Sequence, residues 1–158
     1  MIIGVLSDTH GTIHPRLVPL FRQEKVELIL HAGDVGEPSI LSTLSLIAEV
    51  IAVRGNVDYA GRLAALPEVM RKTDEGIDIY MTHIGGKPQV WRNTLPEPKP
   101  DVAICGHSHV ALLEEHDGIL FLNPGSAGTR PRFGGTLSAA ILTIESGEVT
   151  AEITDFGR

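Results

Sequence analysis

A chain of 158 residues suits one domain with a full-sized core, and 42% hydrophobic against 21% charged content is ordinary for a globular protein. A net charge of −7 without a basic run, and aromatics at only 4%, argue against polymeric nucleic acid as a partner: a phosphate backbone asks for a positive face, and single-stranded bases ask for stacking rings. Met1 to Leu6 are apolar but too few for a secretory leader, and no apolar run approaches the ~20 residues of a membrane span, so a soluble, cytoplasmic protein is expected.

Residues 2–6 form an apolar run rich in β-branched side chains, read as a buried strand that ends at Ser7-Asp8-Thr9-His10-Gly11. A helix-like stretch from Leu17 to Glu24 follows, with Pro19 tolerable only in its first turn. Residues 26–32 read as a second strand ending at Gly33-Asp34, and Pro38 to Ile47 as a second helix with Ile40, Leu41, Leu44 and Ile47 on one face. A third strand, roughly 49–53, ends at Arg54-Gly55-Asn56-Val57-Asp58. Strand, loop and helix in repetition argue for parallel strands with right-handed crossovers. In open α/β sheets, ligands bind beyond the carboxyl ends of such strands, where Asp8, Asp34 and Asn56 fall.

The second half reads as richer in strands. Residues 77–82 end at Thr82-His83, and residues 87–95 read as a loop or short helix around Trp91. A stiff proline-rich connector, residues 96–100, precedes a short buried strand, Val102 to Cys105. That strand turns at Gly106 into His107-Ser108-His109. Residues 110–115 and 119–122 read as a hairpin with an Asp117-Gly118 turn, and 136–144 with 148–154 as another. Cys105, the only cysteine, allows no internal disulfide and reads as a small buried hydrophobe.

Asp8, His10, Asp34, Asn56, His83, His107 and His109 thus terminate five apolar runs, usually beside a glycine. Any one of them alone is a cap or turn residue, but together they form a set of oxygen and nitrogen ligands. No thiolate is among them, and a structural zinc site would close at four ligands. Seven mixed ligands suit two ions with one carboxylate bridging and positions left open for water and substrate, an arrangement that hydrolyses phosphoesters.

In order along residues 1 to about 130, Asp8-Thr9-His10, Gly33-Asp34, Gly55-Asn56, His83 and Gly106-His107-Ser108-His109 resemble the metallophosphoesterase (calcineurin-like phosphoesterase) family. The Asn123-Pro124-Gly125-Ser126 stretch and short length are similar to its small bacterial and archaeal phosphodiesterase branch. The resemblance implies a single α/β domain, a four-layer αββα sandwich of two mixed sheets flanked by helices. It assigns Asp8, His10, Asp34 and His109 to one divalent ion, and Asp34, Asn56, His83 and His107 to a second, with Asp34 bridging. Manganese is the first expectation, with iron, zinc or nickel as alternatives. Asp34, Asn56 and His83 are expected to carry the reaction, attack of a metal-bridging hydroxide on a small phosphodiester.

Larger family members place a proton-donating histidine directly after the motif asparagine, where this chain has Val57; weaker leaving-group protonation is therefore expected. Asp58 reads as a turn carboxylate, and Asn123 and Ser126 as turn builders. Arg130 and Arg132 are candidate contacts for substrate phosphate. His14, His31 and His116 are not expected to be ligands, although His31 is placed to support them. Alternative readings are a phosphomonoesterase or nucleotide phosphohydrolase, and an interaction scaffold like the similar retromer subunit. The filled histidine positions favour an enzyme. The apolar, β-rich end of the chain permits a homo-oligomer without requiring one.

Overall fold

Period-two alternation assigns each strand two faces, and the burial of those faces fixes the layers. The computed structural model describes residues 1–157. Its first sheet contains β1 (Ile2–Leu6), β2 (Leu28–His31) and β3 (Glu49–Ala52) in parallel, extended by the antiparallel pair β9 (Ser138–Glu145) and β10 (Glu148–Asp155) in the order β10-β9-β1-β2-β3. The second sheet has the order β4-β5-β6-β8-β7, from β4 (Val69–Asp74), β5 (Ile77–Thr82), β6 (Val102–Ile104), β7 (Leu112–His116) and β8 (Ile119–Asn123). Its three central strands, β5, β6 and β8, are parallel, and β4 and β7 pair antiparallel at the edges.

Ile3 and Val5 of β1 meet Ile79, Met81, Val102 and Ile104 of the second sheet, so the main core lies between the sheets. On the outer face of the first sheet, Leu6 and Ile29 pack against Leu17 and Phe21 of α1 (Leu17–Gln23) and Ile40 and Leu44 of α2 (Pro38–Leu44). Beyond the second sheet, Ala103, Cys105 and Phe121 pack against Trp91 and Leu95, around the single turn α3 (Pro88–Trp91). The result is the four-layer αββα arrangement, with its second helical layer reduced to that turn. No described helix is long and apolar enough to cross a membrane.

The local expectations hold with small shifts at element ends. Pro19 is third in α1, where its missing N–H costs no intrahelical bond. The Asp117-Gly118 turn has two successive positive φ values, 50° and 76°, as a two-residue turn matched to strand twist demands. One strand had no counterpart in the sequence reading: β4, an edge strand with only Met70 buried, whose alternating charges give little hydrophobic signal.

The parallel strands of both sheets point their carboxyl ends to the same side, and hydrogen bonds stitch the loops there. Asp8 N–H donates to the Gly33 carbonyl at 3.0 Å, and His10 N–H to the Asp34 carbonyl at 3.0 Å. His31, fully buried on β2, supports this stitch. Its Nδ1 accepts the Gly33 N–H at 3.2 Å, which places the ring proton on Nε2, 3.0 Å from Thr9 Oγ1. The Thr9 hydroxyl donates in turn to the Val35 carbonyl at 2.9 Å.

Burial outweighs the nearby Asp8 and Asp58 carboxylates and holds His31 at a pKa of about 4. An unfolded chain takes up that proton near 6.5, so His31 adds stability that is complete above pH 6.5 and lost as the pH falls towards 4. The effect is on the order of 3 kcal/mol at 1.36 kcal/mol per unit. In denaturant titrations of the metal-free protein, His31→Gln is expected to remove that part of the loss between these pH values. An identical pH slope in both proteins would refute this account of His31.

Candidate metal centre

Side chains from both sheets meet in two clusters at this end of the sandwich. In the first, His10 Nε2 and His109 Nε2 are 3.3 Å apart. Asp8 Oδ1 lies 3.3 Å from His109 Nε2 and 3.9 Å from His10 Nε2. Asp8 and His109 are buried, yet Asp8 Oδ1 and His109 Nδ1 have no hydrogen-bond partner among the described residues. Leaving such groups unmatched costs free energy; of the two, Asp8 Oδ1 is turned towards the Nε2 atoms of His10 and His109, and a carboxylate oxygen converging with imidazole nitrogens suits a divalent cation.

The second cluster forms around the Asn56 side-chain oxygen. That Oδ1 is 3.0 Å from His83 Nε2 and 3.0 Å from His107 Nδ1. His83 Nδ1 donates to the Ala32 carbonyl at 2.7 Å, which fixes the ring and turns Nε2 into the site. Asp34 stands between the clusters: Oδ1 is 3.4 Å from His83 Nε2, and Oδ2 is 3.7 Å from His10 Nε2. All seven residues are therefore brought together. His107 and His109, two apart in sequence, join different clusters, and each cluster draws side chains from both sheets.

The charges are mutually adjusted. Burial opposes ionisation of Asp34, but the His83 ring and the Val57 N–H, which donates to Oδ1 at 3.0 Å, hold its pKa below the ordinary carboxylate value. Burial likewise opposes a charged His83, but Asp34 and the Ala32 carbonyl outweigh it and raise its pKa. His10 is lowered, by burial first, and Arg132 adds to that direction.

The loops reach this geometry through unusual backbone. Asp8, His10, Asp34, His107 and His109 all have φ between 47° and 67°, the left-handed region that costs a residue with a Cβ on the order of 1 kcal/mol or more. Two glycines allow close approach. A Cβ on Gly106 would lie 2.8 Å from Asp8 Oδ2, and one on Gly55 would overlap the amide nitrogen and Oδ1 of Asp34.

Several supporting residues emerge only in three dimensions. Asp58, 1% exposed, accepts backbone N–H groups from Val35 at 3.1 Å, Gly36 at 2.9 Å and Gly55 at 2.9 Å, locking the β2 and β3 loops together. The Asp58-Tyr59-Ala60-Gly61 run signals a turn but not which distant amides its carboxylate receives. Asn123 Nδ2 donates to the Gly106 carbonyl at 2.8 Å, bracing the His107-His109 turn. Ser7 Oγ is 2.7 Å from Asp8 Oδ2, and Ser126 Oγ donates to the Asp8 carbonyl at 2.8 Å.

The other singled-out residues divide clearly. Arg130 and Arg132 are exposed and line, with Asp8, His10, Thr12 and Thr129, a cleft of about 240 Å³ beside the first cluster. His14 stacks on Phe156 at 4.6 Å, and His116 sits 3.7 Å from Asp117 in its hairpin; neither enters a cluster. Burial pushes the Cys105 thiol up to about 12, so it is no nucleophile at neutral pH.

Comparison with known proteins is consistent across sequence and structure. Phosphodiesterase MJ0936 of Methanocaldococcus jannaschii is 30% identical over 141 residues, 79% of this chain and 83% of that protein. The Bacillus subtilis protein named "Probable metallophosphoesterase YsnB" is 35% identical over 98% of this chain and 91% of its own length. A solved structure described as a novel archaeal phosphodiesterase superposes with a TM-score of 0.76 at 26% identity, covering 98% of this chain and 100% of that one. Zinc-complexed Vps29 from Entamoeba histolytica superposes at 0.75 with 23% identity, covering 99% of this chain and 100% of that one, a likeness of fold alone. The family model of the calcineurin-like phosphoesterase superfamily domain matches residues 1–147, and this chain belongs to that superfamily.

Proposed function

We propose that this protein is a phosphodiesterase working with two divalent cations. The observation that carries the reading is the pair of ligand clusters joined by the two oxygens of Asp34. Asp8, His10, Asp34 and His109 would hold one cation, and Asp34, Asn56, His83 and His107 the other. Manganese is our first choice, with iron, zinc and nickel as alternatives suited to the same imidazole and carboxylate ligands. When bound, such cations neutralise phosphoryl oxygens and supply a nucleophilic water near neutral pH.

The chain's own groups define the rest. Asp8 and Asp34 are the only carboxylates in the ligand set; Asn56 and the four imidazoles add no negative charge when neutral. Two carboxylates against two divalent cations leave a net positive site in a protein of net charge −7, which favours an anionic ester there. The Asp34 bridge fixes one cluster relative to the other, and the Ala32 carbonyl orients His83. On the rim, Arg130 and Arg132 supply guanidinium groups suited to phosphate oxygens. Val57 contributes a backbone N–H to Asp34 but no side-chain proton, so esters with good leaving groups are the favoured substrates.

Hydrolysis of bis-p-nitrophenyl phosphate is expected to vanish with chelator, to return with manganese, and to exceed hydrolysis of p-nitrophenyl phosphate. Asp34→Asn should lower the metal-dependent rate more than about 100-fold with the circular dichroism spectrum unchanged. Undiminished turnover in that variant, or turnover indifferent to metal, would sink the proposal.

Asp58→Ala removes the acceptor of three backbone N–H groups. It should destabilise the fold by roughly 3 kcal/mol at about 1 kcal/mol per bond. Calorimetric manganese affinity should fall about 10–100-fold, as for other residues that hold ligands in place, with Asp58→Asn intermediate. Wild-type affinity in Asp58→Ala would show that the ligand loops keep their geometry without this brace.

A further inference from the structure

Two clefts that leave the metal centre differ in chemistry. Beside His10 the walls are polar and cationic, with Thr12, Thr129, Arg130 and Arg132. Beside His107 lies a cleft of about 420 Å³ whose side-chain walls are mainly carbon, from Ile84, Val110 and Leu112, with the backbone of Gly85 and Gly86 as its floor. The polar atoms of this second cleft are largely engaged within the protein. Ser108 Oγ accepts from Asn123 Nδ2 at 3.0 Å and from the Val110 N–H at 3.2 Å, and Cys105 Sγ takes the same Asn123 amide at 3.8 Å. Ile84 and Val110 are nevertheless 57% and 49% exposed on the same cleft, and it is their adjacency there, rather than the exposure of either alone, that marks an apolar recess able to take a ligand group. His107 belongs both to the second ligand cluster and to the wall of this cleft, so whatever covers it lies against the reacting centre. Lys87, at the same cleft, places a positive charge on the path of an anion.

We propose that the carbon-lined cleft beside His107 receives an apolar, aryl-sized ester group of the substrate, with Ile84 and Val110 as its specificity-determining side chains. The proposal rests on the phosphodiesterase reading and narrows its substrate class to diesters with one apolar arm. Its size falls within the range of small-molecule pockets. The occupant is part of the substrate rather than another protein because the cleft is continuous with the ligand cluster through Gly106 and His107. Ile84 also borders the cleft of about 490 Å³ beside Asn56 and His83, so one side chain separates the two recesses that flank the second cluster.

The test compares p-nitrophenyl phenyl phosphate with p-nitrophenyl methyl phosphate, which share a leaving group. In the manganese-loaded wild type, kcat/KM for the phenyl ester should exceed that for the methyl ester by about tenfold or more, the discrimination an apolar pocket gives. Val110→Asp and Ile84→Asp should each reduce that ratio towards one. An equal ratio in wild type and both variants would overturn the proposal. So would loss of a dimer in Val110→Asp on size-exclusion chromatography with the ratio intact, because a second copy would then be what covers the cleft.

A binding measurement separates this inference from the reading beneath it. Phenylphosphonate, but not methylphosphonate, should shift the methyl resonances of Ile84, Val110 and Leu112 in the manganese-free, zinc-loaded protein. Those shifts without any diester hydrolysis would overturn the phosphodiesterase reading while keeping the cleft as an aryl site. Identical methyl spectra with the two phosphonates would overturn the cleft assignment, whatever the hydrolysis assay gives.

Discussion

Two carboxylates buried at a seam between sheets set the terms for the rest of this structure. Asp8 is wholly buried and Asp34 is 2% exposed, and isolated charges there are costly unless paired and hydrogen-bonded. The fold surrounds them with donors. Ser7 and the His107 N–H meet Asp8 Oδ2, and the Val57 N–H and His83 meet Asp34 Oδ1. The oxygen left over, Asp8 Oδ1, is the one that faces His10 and His109. Backbone N–H groups thus satisfy one oxygen of each carboxylate, that of His107 at Asp8 Oδ2 and that of Val57 at Asp34 Oδ1, while Asp8 Oδ1 and Asp34 Oδ2 face the clustered imidazoles.

This arrangement explains why the loops tolerate strain. Five ligands in left-handed backbone conformation represent free energy spent locally, and it persists because surrounding contacts over-determine each loop. Asp58 ties the β2 and β3 loops with three hydrogen bonds, Asn123 braces the loop after β6, and His31 with Thr9 ties the β1 and β2 loops. None of these four residues is in either cluster, yet each restricts where a clustered side chain can sit.

The seven candidate ligands were legible in the sequence as a set because each follows a short, strongly apolar run, and a run of that kind can only be a buried strand or helix. Repeated strand and helix in the first half indicated parallel strands, and hairpins in the second a β-rich remainder; the sandwich itself came from the resemblance to the calcineurin-like phosphoesterases. What was not legible depends on contacts between distant positions. Nothing around Asp58 announces that its oxygens receive amides from Val35 and Gly36, more than twenty residues earlier. The left-handed φ of His107 and His109 is equally hidden, because histidine, though it enters that region more often than most residues, still does so rarely, whereas the neighbouring glycine had marked a turn. Strand β4 was hidden for the opposite reason: at a sheet edge with one buried side chain, it carries too little pattern to read.

Each cluster takes ligands from both sheets, Asp8 and His10 with His109, and Asp34 and Asn56 with His83 and His107. The width of the sandwich is therefore a gauge for the centre at its end. That width is set by side chains such as Val5, Leu30, Met81 and Ile104, packed in the common core between the sheets. Sheets pack about 10 Å apart and dense interiors transmit strain, so a change of one methylene at this interface is felt as a change in ligand separation. The hydrophobic core thus does for the two clusters what a spacer does for a pair of electrodes: it sets the gap between the side chains that face each other across the seam.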